Sequence, residues 1–311
     1  AGFVCLFLAA NIDYRAIVNY AYPAYILSLG ALIFLLLFGG ERYGARRWIG
    51  LGPLSVQPSE FLKITVILAL AYFLGERRDK KGSFGNFAGS CAIVAPGALL
   101  IFLQPDLGTA LVLVPILFAC LFVSGERVRY MAVSIAAGFA CLPVFWSILK
   151  DYQKTRLLVF INPDLDPLGA GYTIIQSKIA IGSGGLAGKG WLNGTQNYLR
   201  FLPERHTDFI FSVIGEELGF MGALLVLGVF SVIIWRGLRI ISGTKDITGK
   251  ALAAGVITLI AFQVFVNISM TIGFMPVVGL PLPAISYGGS NTVATLTGIG
   301  LLLSVSRKAD I

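Results

Sequence analysis

The sequence carries little charge for its length, because only 13% of its 311 residues are Asp, Glu, Lys or Arg. A soluble domain carries roughly 25%. Hydrophobic residues make up 56% of the chain, so too few polar side chains remain to cover a globule in water. Intrinsic disorder is excluded as well, since it requires low hydrophobicity. The composition therefore indicates a membrane protein that crosses the bilayer several times.

Histidine and paired cysteine are also scarce. His206 is the only histidine, which excludes metal sites built from several histidines and a haem held by two. The four cysteines, Cys5, Cys91, Cys120 and Cys141, lie in apolar runs, and no two form a CxxC pair. We interpret them as small packing residues rather than metal ligands or disulfides.

Apolar runs long enough to cross a bilayer as a helix, about 20 residues, recur along the chain. They predict eight spans, at 19–39, 56–75, 88–104, 108–124, 130–149, 209–235, 251–272 and 292–306. Residues 1–10 are apolar but too short to span, and we interpret them as the end of a truncated helix rather than a signal peptide. Backbone polar groups in lipid must be satisfied internally. The predicted fold class is therefore an all-α polytopic bundle, with residues 1–311 as one transmembrane domain.

Basic residues divide the loops into two sides. Most lie in short loops or the tail of one side, which the positive-inside rule makes cytoplasmic. They are Arg15, Arg77, Arg78, Lys80, Lys81, Arg127, Arg129, Arg236, Arg239, Lys245, Lys250, Arg307 and Lys308. Two basic segments, 40–55 and 150–208, fall on the opposite side. Cations kept there predict an anionic ligand, with anchoring to lipid headgroups as the alternative.

Ionisable residues in or beside spans are costly and usually functional. Glu60 and Lys63 are spaced to pair on one helical face, either as a neutralised structural pair or as part of a site. Asp208 lies where the chain enters the membrane, as a carboxylate base with cationic neighbours or as a helix N-cap. Glu216 lies on the same side of that helix, about 12 Å deeper at 1.5 Å per residue.

Two glycine-rich segments predict unusual backbone. Residues 182–187 match GxGxxA, but no strand–helix–strand unit surrounds them, so we expect close backbone approach rather than a dinucleotide site. Residues 276–290 contain three prolines and several glycines. Broken backbone at membrane depth is tolerated only within protein or beside a water-filled cavity, so this segment is predicted to line a pocket that opens outward.

Five motifs in order along the chain resemble those of the SEDS family (shape, elongation, division and sporulation) of bacterial peptidoglycan polymerases. They are Gln57-Pro58-Ser59-Glu60, Gln104-Pro105-Asp106-Leu107-Gly108-Thr109, Asp166-Pro167-Leu168-Gly169-Ala170-Gly171-Tyr172, His206-Thr207-Asp208-Phe209-Ile210-Phe211 and Ser286-Tyr287-Gly288-Gly289-Ser290. The stretches 188–191, 194–196 and 201–206 resemble the elongation members rather than the division members. The family has ten spans, and this chain is expected to lack the first and part of the second.

The resemblance implies a glycosyltransferase that polymerises lipid II during cell-wall elongation. The reaction takes place on the outer face of the bacterial cytoplasmic (inner) membrane and inverts the donor sugar. Asp208 corresponds to the family's essential aspartate and is assigned as the base. The 150–208 segment is the long extracytoplasmic loop before the eighth family span and is expected to carry part of the active site.

The remaining site residues are predicted to bind substrate. Glu60 and Lys63 are expected to shape the cavity of Asp208, and Ser286 to contact substrate. Cations that would contact the pyrophosphate are Arg42, Arg47, Lys178, Arg200 and Arg205. Trp48 either stacks on a sugar or belongs to the interfacial aromatic belt. Mg²⁺ or Mn²⁺ could bridge the pyrophosphate, although no carboxylate cluster in the sequence establishes a metal site.

The implied partners are a class B penicillin-binding protein transpeptidase and the elongation machinery, with no nucleic acid. The chain has no SxxK motif paired with KTG, so crosslinking falls to the partner. Two alternatives stay open from the residues alone. A lipid II flippase would also need an outward cavity with intramembrane charges, although no repeats of the kind found in transporters occur. A scaffold for other wall enzymes would not need Asp208.

Overall fold

The computed structural model describes residues 1–40, 47–50, 55–167, 169–198 and 201–309. Its helices are α1 (Gly2–Asn11), α2 (Tyr14–Val18), α3 (Ala21–Phe38), α4 (Pro58–Glu76), α5 (Phe84–Leu103), α6 (Leu107–Val123), α7 (Val128–Ala140), α8 (Leu142–Ile148), α9 (Asp151–Ile161), α10 (Ala170–Ser183), α11 (Thr195–Tyr198), α12 (Ile210–Gly243), α13 (Ile247–Thr271) and α14 (Gly289–Ser306). Within these residues the only β contact is one antiparallel bridge between Ile49 and Val56. The predicted all-α class is confirmed.

Each predicted span falls on a helix or a bent helix pair. Among the described residues, α3, α4, α5, α12 and α13 are long and apolar enough to cross a membrane. The bent pair of α7 and α8, with 52° between them, makes a sixth span if counted as one. The predicted spans at 108–124 and 292–306 are helical as α6 and α14 but are not among those five.

The described chain separates into two compact units. Unit 1 consists of Ala1–Met131, Ile233–Phe262 and Gly288–Ile311. Its central helix is α4, which packs against α3, α5, α6 and α14 and is buried along most of its length. A helix that is apolar on nearly all sides is stable only when surrounded in this way.

Unit 2 consists of Ala132–Val232 and Gln263–Tyr287. The predicted outer loop, 150–208, contains α9, α10 and α11, and its apolar stretches at 157–161 and 174–181 lie within α9 and α10. A buried hydroxyl ties α10 to its neighbours. Ser177 Oγ lies 2.6 Å from Ser212 Oγ of α12 and donates to the Thr271 carbonyl of α13 at 2.6 Å.

Helix α12 is broken at Gly219, whose φ of 66° and ψ of −160° are not helical. Residues 185–190 satisfy the backbone groups that the break releases. The amides of Lys189 and Gly190 donate to the carbonyls of Glu216 and Glu217, both at 3.0 Å. On the other side of the break, the amides of residues 220 and 221 donate to the carbonyls of residues 185 and 186, at 2.9 and 3.1 Å. The glycine-rich segment therefore provides the close backbone approach predicted from its sequence.

Candidate functional site

Three hydrogen bonds fix the backbone of the segment that carries Asp208. Asn267 Nδ2, at the buried end of α13, donates to the Asp208 carbonyl at 2.9 Å. The Ser286 hydroxyl donates to the Thr207 carbonyl at 2.6 Å, and the Tyr287 amide donates to the His206 carbonyl at 2.8 Å. Because these donors come from α13 and from the loop that follows it, the half-buried Asp208 side chain starts from a fixed backbone.

The loop after α13, residues 272–287, lies against both Asp208 and Lys178. Asp208 Oδ2 is 3.3 Å from the position that a Cβ on Gly279 would occupy. The Lys178 side chain runs across Gly273 so closely that a Cβ there would lie 2.0 Å from Cε. The two glycines therefore leave room for one carboxylate and one ammonium group to lie against this loop. Lys178 is exposed.

Ser286, predicted to bind substrate, is 3% exposed. Its hydroxyl donates to Thr207 and accepts from the Leu282 amide at 2.7 Å. A hydroxyl has one proton and two lone pairs, so Ser286 retains acceptor capacity only. The Asn267 amide group has two protons. Its Nδ2 donates to the Leu280 carbonyl at 2.7 Å as well as to the Asp208 carbonyl.

Glu216 and Glu217 lie beside the break in α12 and hold the segment before Asp208. Glu216 is 1% exposed, and its Oε1 accepts from Lys189 Nζ at 2.8 Å, Thr195 Oγ1 at 3.0 Å and the Gln196 amide at 3.0 Å. Glu217 Oε2 accepts from the amide of residue 192 at 3.0 Å. Both carboxylates thus anchor residues 189–196, which lead to residues 201–208.

The predicted pair of Glu60 and Lys63 is present in unit 1. Lys63 Nζ lies 2.8 Å from both carboxylate oxygens of Glu60, one helical turn earlier in α4. The two residues are 2% and 1% exposed. A buried charge is tolerated when it is paired and hydrogen-bonded, and this pair meets that condition.

Arg47 is engaged with the turn between α5 and α6. Its Nε donates to the Gln104 carbonyl at 2.9 Å and its Nη2 to the Pro105 carbonyl, and its Nη1 lies 3.8 Å from Asp106 Oδ2. The guanidinium thus binds carbonyls at the C-terminal end of α5, where a positive charge is favourable. Asp106 also caps α6 by accepting from the Thr109 amide at 3.1 Å.

Four further residues were predicted to belong to the site, and the structure describes two of them. Trp48 is half-buried in unit 1. Arg205, in unit 2, is half-buried and donates from Nε to His206 Nε2 at 3.2 Å. Arg42 and Arg200 lie outside the described residues. No observation tests the roles assigned to these residues, which stay predictions.

Several contacts that hold the candidate site together were not predicted from the sequence. The ion pair between Lys189 and Glu216 does not follow from a local pattern, since the two residues lie 27 positions apart. The bonds from Asn267 to the Asp208 and Leu280 carbonyls were not predicted either. The sequence does contain a signal for such bonds, because a side-chain amide deep in an apolar helix must form hydrogen bonds.

The fold and site define an all-helical membrane protein with a carboxylate held at the start of a broken span. A family model described as "Cell cycle protein" and named for FtsW, RodA and SpoVE matches residues 1–311. The chain therefore belongs to the FtsW/RodA/SpoVE family, which confirms the resemblance drawn from its motifs. With its apolar helices, this membership makes the chain a multi-pass membrane protein.

Curated relatives match almost the whole chain. It is 43% identical over 305 residues to peptidoglycan glycosyltransferase MrdB of Escherichia coli K12, covering 98% of this chain and 82% of the relative. It is 40% identical over 311 residues to stage V sporulation protein E of Bacillus subtilis 168, covering 98% and 84%. A third relative, of Geobacter metallireducens, is named as a probable peptidoglycan glycosyltransferase FtsW and is 39% identical, with coverage of 99% and 82%.

Solved structures share the fold. A chain of a peptidoglycan synthase complex, studied for the structural coordination of polymerization and crosslinking, superposes with a TM-score of 0.84 at 38% identity, covering 99% of this chain and 87% of that one. The rod shape determining protein RodA of Thermus thermophilus superposes with a TM-score of 0.73 at 33% identity, covering 100% and 85%.

Proposed function

We propose that this chain is a peptidoglycan glycosyltransferase that polymerises lipid II into glycan strands, with Asp208 as the general base. The observation that carries the proposal is the fixed backbone of residues 206–208, which holds one carboxylate in unit 2. Relatives named peptidoglycan glycosyltransferases, 39–43% identical over nearly the whole chain, support the same activity.

The chemistry follows from the substrate. Asp208 takes the proton of the acceptor's 4-hydroxyl as that oxygen attacks the anomeric carbon of the donor sugar. The bond to undecaprenyl pyrophosphate breaks on the opposite face, so an α-linked donor yields a β linkage. A base positioned in this way contributes about 10²- to 10⁴-fold to the rate.

Negative charge develops on the pyrophosphate as it leaves. Positively charged side chains directed at it would stabilise the transition state. In unit 2 the described candidates are Arg205 and Lys178, whose side chain lies against the same loop, residues 272–287, as that of Asp208. Arg47 is a weaker candidate than the sequence predicts, since its guanidinium already binds two carbonyls. Glu60 and Lys63 are proposed to shape the substrate site, and Ser286 to accept a hydrogen bond from substrate.

The proposal assigns no step to Mg²⁺ or Mn²⁺. Within the part of the chain that the structure describes, no three carboxylate, histidine or cysteine side chains come together in a group that could hold a metal ion. The cations named above supply the positive charge in this mechanism.

We place the active site on the extracytoplasmic face of the bacterial inner membrane and propose a class B penicillin-binding protein as the crosslinking partner. The distribution of basic loops supports the sidedness. The similarity to a chain of a peptidoglycan synthase complex supports the partner.

Gel-resolved polymerisation of purified lipid II tests the proposal, with the partner present and moenomycin added to silence contaminating polymerases. Wild-type protein should give glycan ladders, and Asp208→Asn should lower the rate by about 10²-fold or more. Asp164→Asn is the matched control, because it removes another carboxylate of unit 2 from an exposed turn.

Equal unfolding temperatures of the three proteins would exclude misfolding as the cause. Wild-type rates from Asp208→Asn would overturn the assignment of the base. Absence of ladders from wild type, with lipid II delivered to the outer face, would overturn the polymerase and favour the flippase or the scaffold.

A further inference from the structure

Two loops of unit 1 collect cations that the proposed reaction does not use. One loop joins α4 to α5, and the other joins α6 to α7. Their exposed cations, including one at the start of α7, are Arg77, Arg78, Lys81, Arg127 and Arg129.

A buried glutamate ties these two loops together. Glu126 is 6% exposed. Its Oε2 accepts from the Gly82 amide at 2.9 Å and its Oε1 accepts from Asn86 Nδ2 at 2.8 Å. Both oxygens are thus engaged with neutral donors, and the loops are fixed relative to each other.

Lys81 and Arg127 lie where the two loops meet. A Cβ on Gly82 would be 3.2 Å from Arg127 Nε, and a Cβ on Gly125 would be 3.8 Å from Lys81 Cδ. Each cation therefore runs along a glycine of the other loop. Among the described side chains, neither has an acidic partner within ion-pair distance, whereas Arg78 is paired with Asp79.

Aromatic side chains follow each of these two cations three residues later in the sequence. Phe84 and Phe87 each lie 5.7 Å from Tyr130, measured between ring centroids. Phe84 is 63% exposed. Tyrosine is enriched at membrane–water interfaces, which favours a position of the neighbouring cations at the level of the lipid headgroups.

We propose that Lys81 and Arg127 bind the phosphate of an anionic phospholipid, with Phe84 against its glycerol and first methylenes. Basic pockets between membrane helices are suited to acidic headgroups, and charge-assisted hydrogen bonds to phosphate are among the stronger ones. A lipid fits better than a soluble polyanion, because Phe84 and the 58%-exposed Val128 would stay in water beside the latter.

Native mass spectrometry of the purified protein tests this site. The protein is titrated separately with phosphatidylglycerol, with phosphatidylcholine and with inorganic phosphate, and bound adducts are counted. Phosphatidylglycerol should bind wild type, and the double variant Lys81→Gln with Arg127→Gln should bind it about tenfold more weakly, as expected for loss of one or two charge-assisted hydrogen bonds.

The matched control is Arg236→Gln with Arg239→Gln, which removes the same charge from cations that stack on Trp235. It should bind phosphatidylglycerol as wild type does, and Lys81→Arg should also retain binding. Equal loss in both double variants would reveal diffuse charge attraction and overturn the site. So would undiminished binding by the first double variant, binding of phosphatidylcholine as tight as that of phosphatidylglycerol, or binding of inorganic phosphate alone.

Discussion

Glu60 and Lys63 form an ion pair that is almost completely enclosed in unit 1. Attraction between two such charges must offset the cost of removing both from water, so a buried pair adds little stability by itself. Removing one partner is different, because it leaves an uncompensated charge. This contrast separates a structural role from a role in substrate binding.

We expect Lys63→Met to lower the free energy of unfolding by about 3–5 kcal/mol, because it leaves the buried Glu60 carboxylate without a partner. The double variant Glu60→Leu with Lys63→Met should recover most of that loss. Thermal unfolding in detergent measures both changes, and lipid II polymerisation is measured on the same samples. If the pair shapes the substrate site, the double variant stays inactive although it is folded. If the double variant recovers both stability and activity, the pair has a structural role only.

At the residue scale, the sequence predicts which ionisable residues are candidates for the site, but not the residues that hold them in place. Asp208 and the Glu60–Lys63 pair follow from charge at the edge of or inside an apolar span. The bond from Asn267 to the Asp208 carbonyl joins residues 59 positions apart, and no local pattern specifies such a contact. Arg47 is a second example of a contact between distant residues. Its charge predicts a contact with the ligand, whereas in the structure it binds carbonyls of a turn that is distant in sequence.

At the scale of elements, the break in α12 depends on an earlier segment. Gly188 has φ of +79°, and a Cβ there would lie 2.2 Å from the Glu217 carbonyl oxygen. Its missing side chain lets residues 185–190 pair with both ends of the break. The span itself was predictable from hydropathy, but the break was not, since its hydrogen-bond partners lie about 30 residues earlier.

Gly188→Ala should therefore destabilise the protein by about 1–3 kcal/mol, the cost of strained backbone of this kind. Gly182→Ala is the matched control in α10, because a Cβ there would meet nothing within 4 Å. That change should leave stability unchanged or raise it by up to about 1 kcal/mol, since alanine favours a helix over glycine. Unfolding temperatures in detergent give the comparison. Equal effects of the two substitutions would show that residues 185–190 do not support the break.

At the scale of the whole molecule, hydropathy predicted where the apolar helices lie, because lipid leaves few alternatives to a helix. The segment 150–208 was harder to predict. Its helices α9, α10 and α11 carry mixed polar and apolar residues, and their packing depends on partners remote in sequence, such as Ser212 and Thr271 for Ser177. Sidedness rests on the loop charges alone, so it calls for a direct measurement.

The charge distribution predicts that exposed Asp79 and Asp164 face opposite compartments. In a background with the four native cysteines replaced by serine, Asp164→Cys should react with a membrane-impermeant maleimide on intact spheroplasts. Asp79→Cys should react only after permeabilisation. Both positions are exposed, so a difference in labelling reports the compartment rather than burial. The reverse pattern would put the 150–208 segment in the cytoplasm, where a base at Asp208 could not act on lipid II at the outer face.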